Sequence, residues 1–264
     1  LLVLSACAVW AGEEIVYPQI LEPRELMIDE KVVQVSPSLS LTLKKSTVLG
    51  DKIVVDVVED SQRVRKARDT TFIRNRLYHD NLHMASVIVH ETKHGLVMKG
   101  MLNGSHTIHP EYKLEQRERH SIAHRIREIP EFVRRRGSRR REQPKNDVIE
   151  ERADIQISDQ ITLAVSIVVD TVLADACMSE DETMEYVTIM MNAVSLRFEK
   201  IQGVKVEVLL REVKILTVDI EDEWLQLSQA NILDSTSTLR KLRQKFLGGD
   251  PFTTGAAVVL LLTG

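Results

Sequence analysis

Residues 161–170, ITLAVSIVVD, are a nearly unbroken run of β-branched and aliphatic side chains closed by an aspartate. A strand without a polar face is stable only when both faces are covered, the situation of a parallel sheet packed between helices. The sequence that follows supplies those helices. Ser179-Glu180-Asp181-Glu182 reads as an N-cap followed by acids in the first turn, where the macrodipole favours them. Behind it Met184, Val187, Met191, Val194, Phe198 and Ile201 fall at helical spacing, which predicts a helix over 181–201 ended by Gly203. Met184, Met190 and Met191 read as packing residues rather than as a cofactor box. Residues 204–216 return to strand character, and 219–224 read as an acidic loop. Residues 235–246, with Leu239, Leu242 and Phe246 in register, predict an amphipathic helix stopped by Gly248-Gly249, and 256–262 another buried strand. The order β-α-β-α-β, with connections of this length, predicts a three-layer α/β sheet with parallel strands. Closing on a core strand, the domain is expected to be incomplete at Gly264.

Charge divides the chain. Of 35 Lys/Arg and 39 Asp/Glu, residues 1–145 hold 25 and 19, leaving 10 and 20 for 146–264, so the halves carry +6 and −10. With 43% hydrophobic and 28% charged residues, collagen-like, disulfide-scaffold and disordered classes are excluded. The sign changes at Arg134-Arg135-Arg136-Gly137-Ser138-Arg139-Arg140-Arg141, six arginines in eight residues. Mutual repulsion with Gly, Ser and Pro144 disfavours regular structure, so 134–145 reads as an exposed linker. Three uses compete. A furin-like convertase, whose acidic cleft reads arginines, would recognise the Arg-x-x-Arg pattern of Arg136 to Arg139, with Arg140 and Arg141 following. A polyanion such as nucleic acid or heparin would also bind cations, but Phe132 is the one aromatic nearby for base stacking, which argues against nucleic acid. The third use is a solvated linker with no reader.

Residues 1–11 (LLVLSACAVWA) are apolar, too short for the about 20 residues of a membrane span, and suited to the core of a secretory signal peptide. The alternative is a buried N-terminal strand. No other run is long enough to span a membrane. Asn103-Gly104-Ser105 is a glycosylation sequon, in keeping with a secreted, extracellular chain. Removing residues 1–11 would take Cys7 and leave Cys177 as the remaining cysteine, without a partner in the chain. In the basic half, 52–56 has strand character, and 84–89, 96–102 and 105–109 form a β-meander in which Asn103-Gly104 is the hairpin turn. Residues 115–128 are charged and patchily periodic, a poor helix or a loop.

All eight histidines fall between His79 and His124. One group spells a literal HExxH, His90-Glu91-Thr92-Lys93-His94, but its context is a hairpin. Four residues of one extended strand span about 13 Å, whereas zinc–nitrogen bonds are about 2.0–2.1 Å. Surface histidines are therefore the expectation, with zinc held by His90, Glu91 and His94 the alternative. A Ser-His-Asp triad and a Gly-rich phosphate loop have no supporting motif.

Several fragments of the acidic half resemble a known family. Val168-Val169-Asp170, Asn192-Ala193-Val194 before Leu196-Arg197-Phe198, 206–216, Asp222-Glu223-Trp224 and Leu261-Leu262-Thr263-Gly264 are similar to the opening of a reprolysin (adamalysin, ADAM-type) metalloprotease domain, in the branch found in tick saliva. Tyr78, His83-Met84-Ala85-Ser86 and Gly95-Leu96 would then lie in a propeptide. The resemblance implies 1–11 as signal remnant, 12–133 as propeptide, 134–145 as processing linker, and 146–264 as the first part of a metzincin-like catalytic domain, α+β overall. It implies a zinc endopeptidase that cleaves extracellular proteins, with metal held by HExxHxxGxxH and the Glu acting as general base on zinc-bound water. That motif is not met here: after His94, Val97 stands for the Gly and Gly100 for the third His. No cysteine lies between 7 and 177 to block a zinc, and Ala164 stands where many relatives have a calcium-binding Glu. The 264 residues are therefore expected to be inactive. A secreted binding protein without enzymatic activity is the rival reading.

Overall fold

The computed structural model describes residues 13–21, 30–59, 62–112, 121–129, 159–227 and 233–264. Residues 1–11 and the arginine linker lie outside them. The basic half contributes strands β1 (Glu14–Val16), β2 (Gln19–Leu21), β3 (Glu30–Ser36), β4 (Leu39–Lys45), β5 (Leu49–Glu59) and β6 (Gln62–Asp69). After the short helix α1 (Thr71–Arg74) come β7 (Leu77–Asp80), β8 (Ala85–Thr92), β9 (Gly95–Leu102), β10 (His106–Pro110) and β11 (His124–Glu128). The acidic half runs β12 (Gln160–Val169), α2 (Thr171–Cys177), α3 (Glu180–Phe198), β13 (Lys205–Ile215), α4 (Val218–Trp224), α5 (Ser235–Leu247) and β14 (Val258–Leu262). The protein is a mixed α+β fold, rich in strands. No helix among the described residues is long and apolar enough to cross a membrane.

Nine strands form one antiparallel sheet in the order β1-β11-β10-β9-β8-β7-β4-β3-β2. Alternation drives it: in β4, Leu39, Leu41 and Leu43 are buried while Ser40, Thr42 and Lys44 face solvent. Val16, near one edge, shares a core with Val33 and Val35, near the other, and with Val87, Met98 and Ile108 between them, so the sheet curls. The expected meander is present as β8–β9–β10. Asn103 (φ 53°) and Gly104 (φ 66°) both take left-handed backbone, and Ser105 N–H donates to Leu102 O at 3.2 Å, as a type I′ hairpin requires. Gly100 is needed for a different reason: a Cβ there would lie 2.2 Å from Ser86 O on the neighbouring strand.

The second sheet has five strands, β14-β12-β13-β5-β6. β14, β12, β13 and β5 run parallel, and β6 closes the edge antiparallel. Its α/β portion follows the expected order. Helices α2 and α3 cover one face, where Val165, Ile167, Val169 and Val213 meet Leu173, Met184, Val187 and Met191. On the other face Val168 and Leu216 meet Trp224, Leu225, Leu242 and Phe252. Ser179 caps α3, its hydroxyl accepting from Glu182 N–H at 3.1 Å.

Several expectations need correction. Residues 219–224 are not a loop but lie in α4, because Trp224 is drawn into the core and sets a helical turn of otherwise acidic residues. Within 115–128, residues 124–128 form β11, with Ile126 buried between Arg125 and Arg127; five residues are too few to show a period against that much charge. In α5, Leu242 is buried, but Leu239 and Phe246 are exposed. Helix α3 stops at Phe198, before Ile201 and Gly203. The strand expected to be buried at 256–262 is β14, half-buried because it lies at the edge of its sheet. The histidines are not all on the surface, since His106 and His124 are buried in the antiparallel sheet.

His124 lies opposite Pro110 in the β10–β11 ladder, and its side chain reaches the backbone of β9. The fully buried imidazole accepts from Met98 N–H through Nε2 at 2.9 Å, which assigns its proton to Nδ1, 2.9 Å from the Ile122 carbonyl. Burial pushes this ring down to about 4, against the Ile122 bond and with His109 adding to the fall. A base held below its unfolded value of about 6.5 stabilises the fold fully above that pH, and the contribution is lost as pH falls from 6.5 towards 4. The loss at His124 is of the order of 3 kcal/mol; His79 and His109, also pushed down by burial, act in the same direction. Urea midpoints are expected to fall between pH 7 and 4.5, with a shallower slope in His124→Gln. Identical slopes would remove His124 from this account.

Candidate functional site at the seam between the halves

Among the described residues, the three strands of the acidic half are extended by two strands of the basic half. Strand β5 adds in parallel to β13, pairing Val54 with Glu212, Val55 with Val213 and Asp56 with Lys214. An irregularity between Leu210 and Glu212 turns the side chains over, so that Glu212 and Lys214 point into the α4–α5 side. Both are fully buried. Burial of an ion is tolerated only with a partner, and in each case the partner comes from the basic half. Lys214 Nζ donates to Asp56 on β5, and Arg65 on β6 reaches Glu212 Oε2 at 2.8 Å. Aromatic faces finish the enclosure: the Lys214 ammonium lies 5.0 Å from the Trp224 ring and 5.2 Å from Phe252, which meet edge to face at 5.5 Å.

Glu212 keeps one oxygen, Oε1, without a hydrogen bond among the described residues. Burial raises its carboxyl above the ordinary range; the Arg65 charge opposes this, and the Asp56 carboxylate adds to the rise. The ionised form is thus the costly one, and Glu212 contributes more stability below its raised pKa than above it.

The opposite face of the seam is polar but neutral. Asn192, buried in the middle of α3, accepts from Ser46 Oγ at 2.7 Å. It donates to the Tyr78 carbonyl at 3.1 Å and to Ser86 Oγ at 2.9 Å. Ser86 in turn donates to Ile189 O at 2.7 Å. One side chain therefore joins α3 to three segments of the basic half, with its amide fully employed. At the N-terminal end of α3, Arg68 pairs with Glu180 at 2.7 Å and with Asp181. Sequence reading missed this seam. Glu212, Lys214, Asp56 and Arg65 look like the polar positions of half-exposed strands, and no local pattern announces a partner 158 residues away.

The residues singled out from sequence are placed as follows. Arg136, Arg139, Arg140 and Arg141 lie outside the described residues. Asn103 is exposed at the hairpin tip. His90 and Glu91 are on β8 opposite Val97 and Leu96, while His94 sits in the two-residue turn beyond Thr92. Glu91 is engaged with Lys31 at 2.6 Å, and the His94 N–H with Thr92 Oγ1 at 3.1 Å. Among the described residues no group of three or more His, Cys, Asp or Glu is placed to hold a metal ion. Ala164 pairs with Leu209 in the sheet and offers no ligand oxygen from its side chain. Cys177 is half-buried and forms no disulfide among the described residues. Several residues that carry the family resemblance hold structural positions: Asp170 Oδ1 accepts from Leu173 N–H at 2.8 Å and Gly264 N–H at 3.2 Å, Asn192 anchors the seam, and Trp224 roofs Lys214.

Two outcomes are expected. Asp56→Ala leaves the Lys214 ammonium buried without its carboxylate and is expected to cost about 3–5 kcal/mol in urea unfolding. Asp56→Leu combined with Lys214→Met is expected to recover most of that loss, because no uncompensated charge remains. Equal losses in both would show that the pair does not hold the seam. The purified chain, loaded with zinc and dialysed, is expected to retain no stoichiometric metal by mass spectrometry. One zinc per chain, lost in His90→Ala and in Glu91→Ala, would make 90–94 a metal site. Set against family models and against curated proteins, the chain finds no match in either comparison.

Proposed function

We propose that this chain belongs to the precursor of a secreted zinc metalloendopeptidase of the reprolysin type. Residues 12–133 would be its propeptide, 134–145 its processing linker and 146–264 the first part of its catalytic domain. The observation that carries the reading is the parallel β14-β12-β13 arrangement with helices on both faces, in which Asp170, Asn192 and Trp224 occupy structural positions. The seam supports it further. A propeptide has to hold its enzyme until it is cut away, and here the basic half supplies two strands and the counter-ions of both buried charges, Lys214 and Glu212, to the acidic half. The described side chains do not form a zinc site, so no hydrolytic step is assigned to them.

Reading the transcript beyond codon 264 tests the enzyme reading directly. HExxHxxGxxH downstream supports it, and an immediate stop codon favours a secreted binding protein instead. Processing is tested separately. Co-expression with a furin-like convertase is expected to give a new N-terminus within 137–142, abolished when Arg136, Arg139, Arg140 and Arg141 are all changed to Ala. When the linker alone is opened, the two pieces are expected to co-elute, because the β5–β13 ladder and the ion pairs across the seam do not pass through the linker. Uncut wild-type protein would remove processing from the arginine run.

A further inference from the structure

Outside the linker, the Arg-x-x-Arg spacing recurs at Arg65-Lys66-Ala67-Arg68 and at Arg240-Lys241-Leu242-Arg243. The second lies in α5 with Leu242 buried, a helical conformation that an extended-substrate protease does not read. The first lies on β6, already extended and outermost in its sheet. An edge strand can be bound by strand addition without first being unfolded. We propose that Arg65–Arg68 is a second processing site for the same class of convertase, closed by the acidic half until the linker has been cut. This rests on the processing reading above.

The closure is specific. Side chains alternate along a strand, so Arg65 projects to one face of the sheet and Lys66 and Arg68 to the other. Arg65 is held by Glu212 at 2.8 Å and by the Pro251 carbonyl at 3.2 Å. Arg68 is held by Glu180 at 2.7 Å and by Asp181, and Lys66 lies 3.7 Å from Glu180. The two arginines the pattern requires are thus gripped from opposite faces. Every carboxylate in that grip lies C-terminal to the linker, so cutting the linker turns a tethered mask into one that can dissociate. A shallow, open depression lies between Lys66, Ala67 and Arg68 on β6 and Ser179, Glu180 and Asp181 at the start of α3. Hydrolysis adds water across Arg68–Asp69, giving Arg68 a carboxylate and Asp69 a free amine. The cut parts β5 and β6 from α1 and β7, so the basic half no longer rebinds as one body and its release becomes irreversible.

The test is a time course of the native chain with a furin-like convertase, with new N-termini identified by mass spectrometry. The expected order is an N-terminus within 137–142 first and Asp69 later, with none at 244. The linker variant with four alanines is expected to give no Asp69 product while folded, yet to be cut there when unfolded in urea. Glu180→Gln with Asp181→Asn is expected to speed the second cut of linker-cut protein about threefold to fivefold, the size expected from losing exposed ion pairs. Arg68→Ala is expected to abolish it. Complete linker cleavage with no Asp69 product would overturn the proposal, as would equal Asp69 rates in the folded linker variant and wild type. If the convertase leaves the linker itself intact, the processing reading fails by itself. An inserted site for an unrelated protease then opens the linker, and the appearance or absence of Asp69 on that material decides the second site.

Discussion

A lysine ammonium sealed from water needs a counter-charge within reach, and in this protein the counter-charge for Lys214 belongs to a strand 158 residues earlier. Much of the architecture follows from that requirement. Strand β5 has to lie beside β13 to bring Asp56 to Lys214, and β6 follows by hairpin and brings Arg65 to Glu212. The antiparallel sheet is then held close to the remaining face of α3, where Asn192 receives it. Losing Asp56 or Arg65 leaves Lys214 or Glu212 buried without its counter-charge, whereas replacing both members of the Asp56–Lys214 pair together by apolar side chains strands nothing.

Helix α3 lies between two sheets, which explains its composition. Met184, Val187 and Met191 pack on the parallel sheet, while Asn192 and the Ile189 carbonyl bond to the antiparallel one. Only a narrow strip, with Tyr186 and Arg197, is left in solvent. A helix buried on most sides cannot show a strong amphipathic pattern, and it serves both halves at once. The basic half, seated on α3 and extending the parallel sheet, separates from the acidic half only when both contacts fail.

What the sequence disclosed follows a physical rule. Elements whose partners are near in sequence, or whose environment is uniformly apolar, were legible: the β8–β9–β10 meander from its Asn-Gly turn, β12 from its unbroken apolar run, and α3 from its cap. Elements that take their environment from afar were not. β6 carries Arg65, Lys66 and Arg68 and shows no apolar face, because its cations are answered by acids of the other half. The helix ending at Trp224 looked like a loop because one buried indole outweighs the acids around it. The literal HExxH shows the opposite error, a familiar string whose meaning depends on being helical and which here straddles a hairpin.

The path of the chain has a kinetic consequence. Between β4 and β7 the backbone leaves one sheet, makes two strands of the other, and returns. On a ribosome adding about 5–20 residues per second, β5 emerges roughly ten to thirty seconds before β13 is complete. For that interval a hydrophobic strand with Asp56 in its middle has no parallel neighbour. Pairing across so long a loop is slow to begin. The nascent basic half therefore waits with an open edge, and correct assembly depends on keeping that edge unoccupied until the other half arrives.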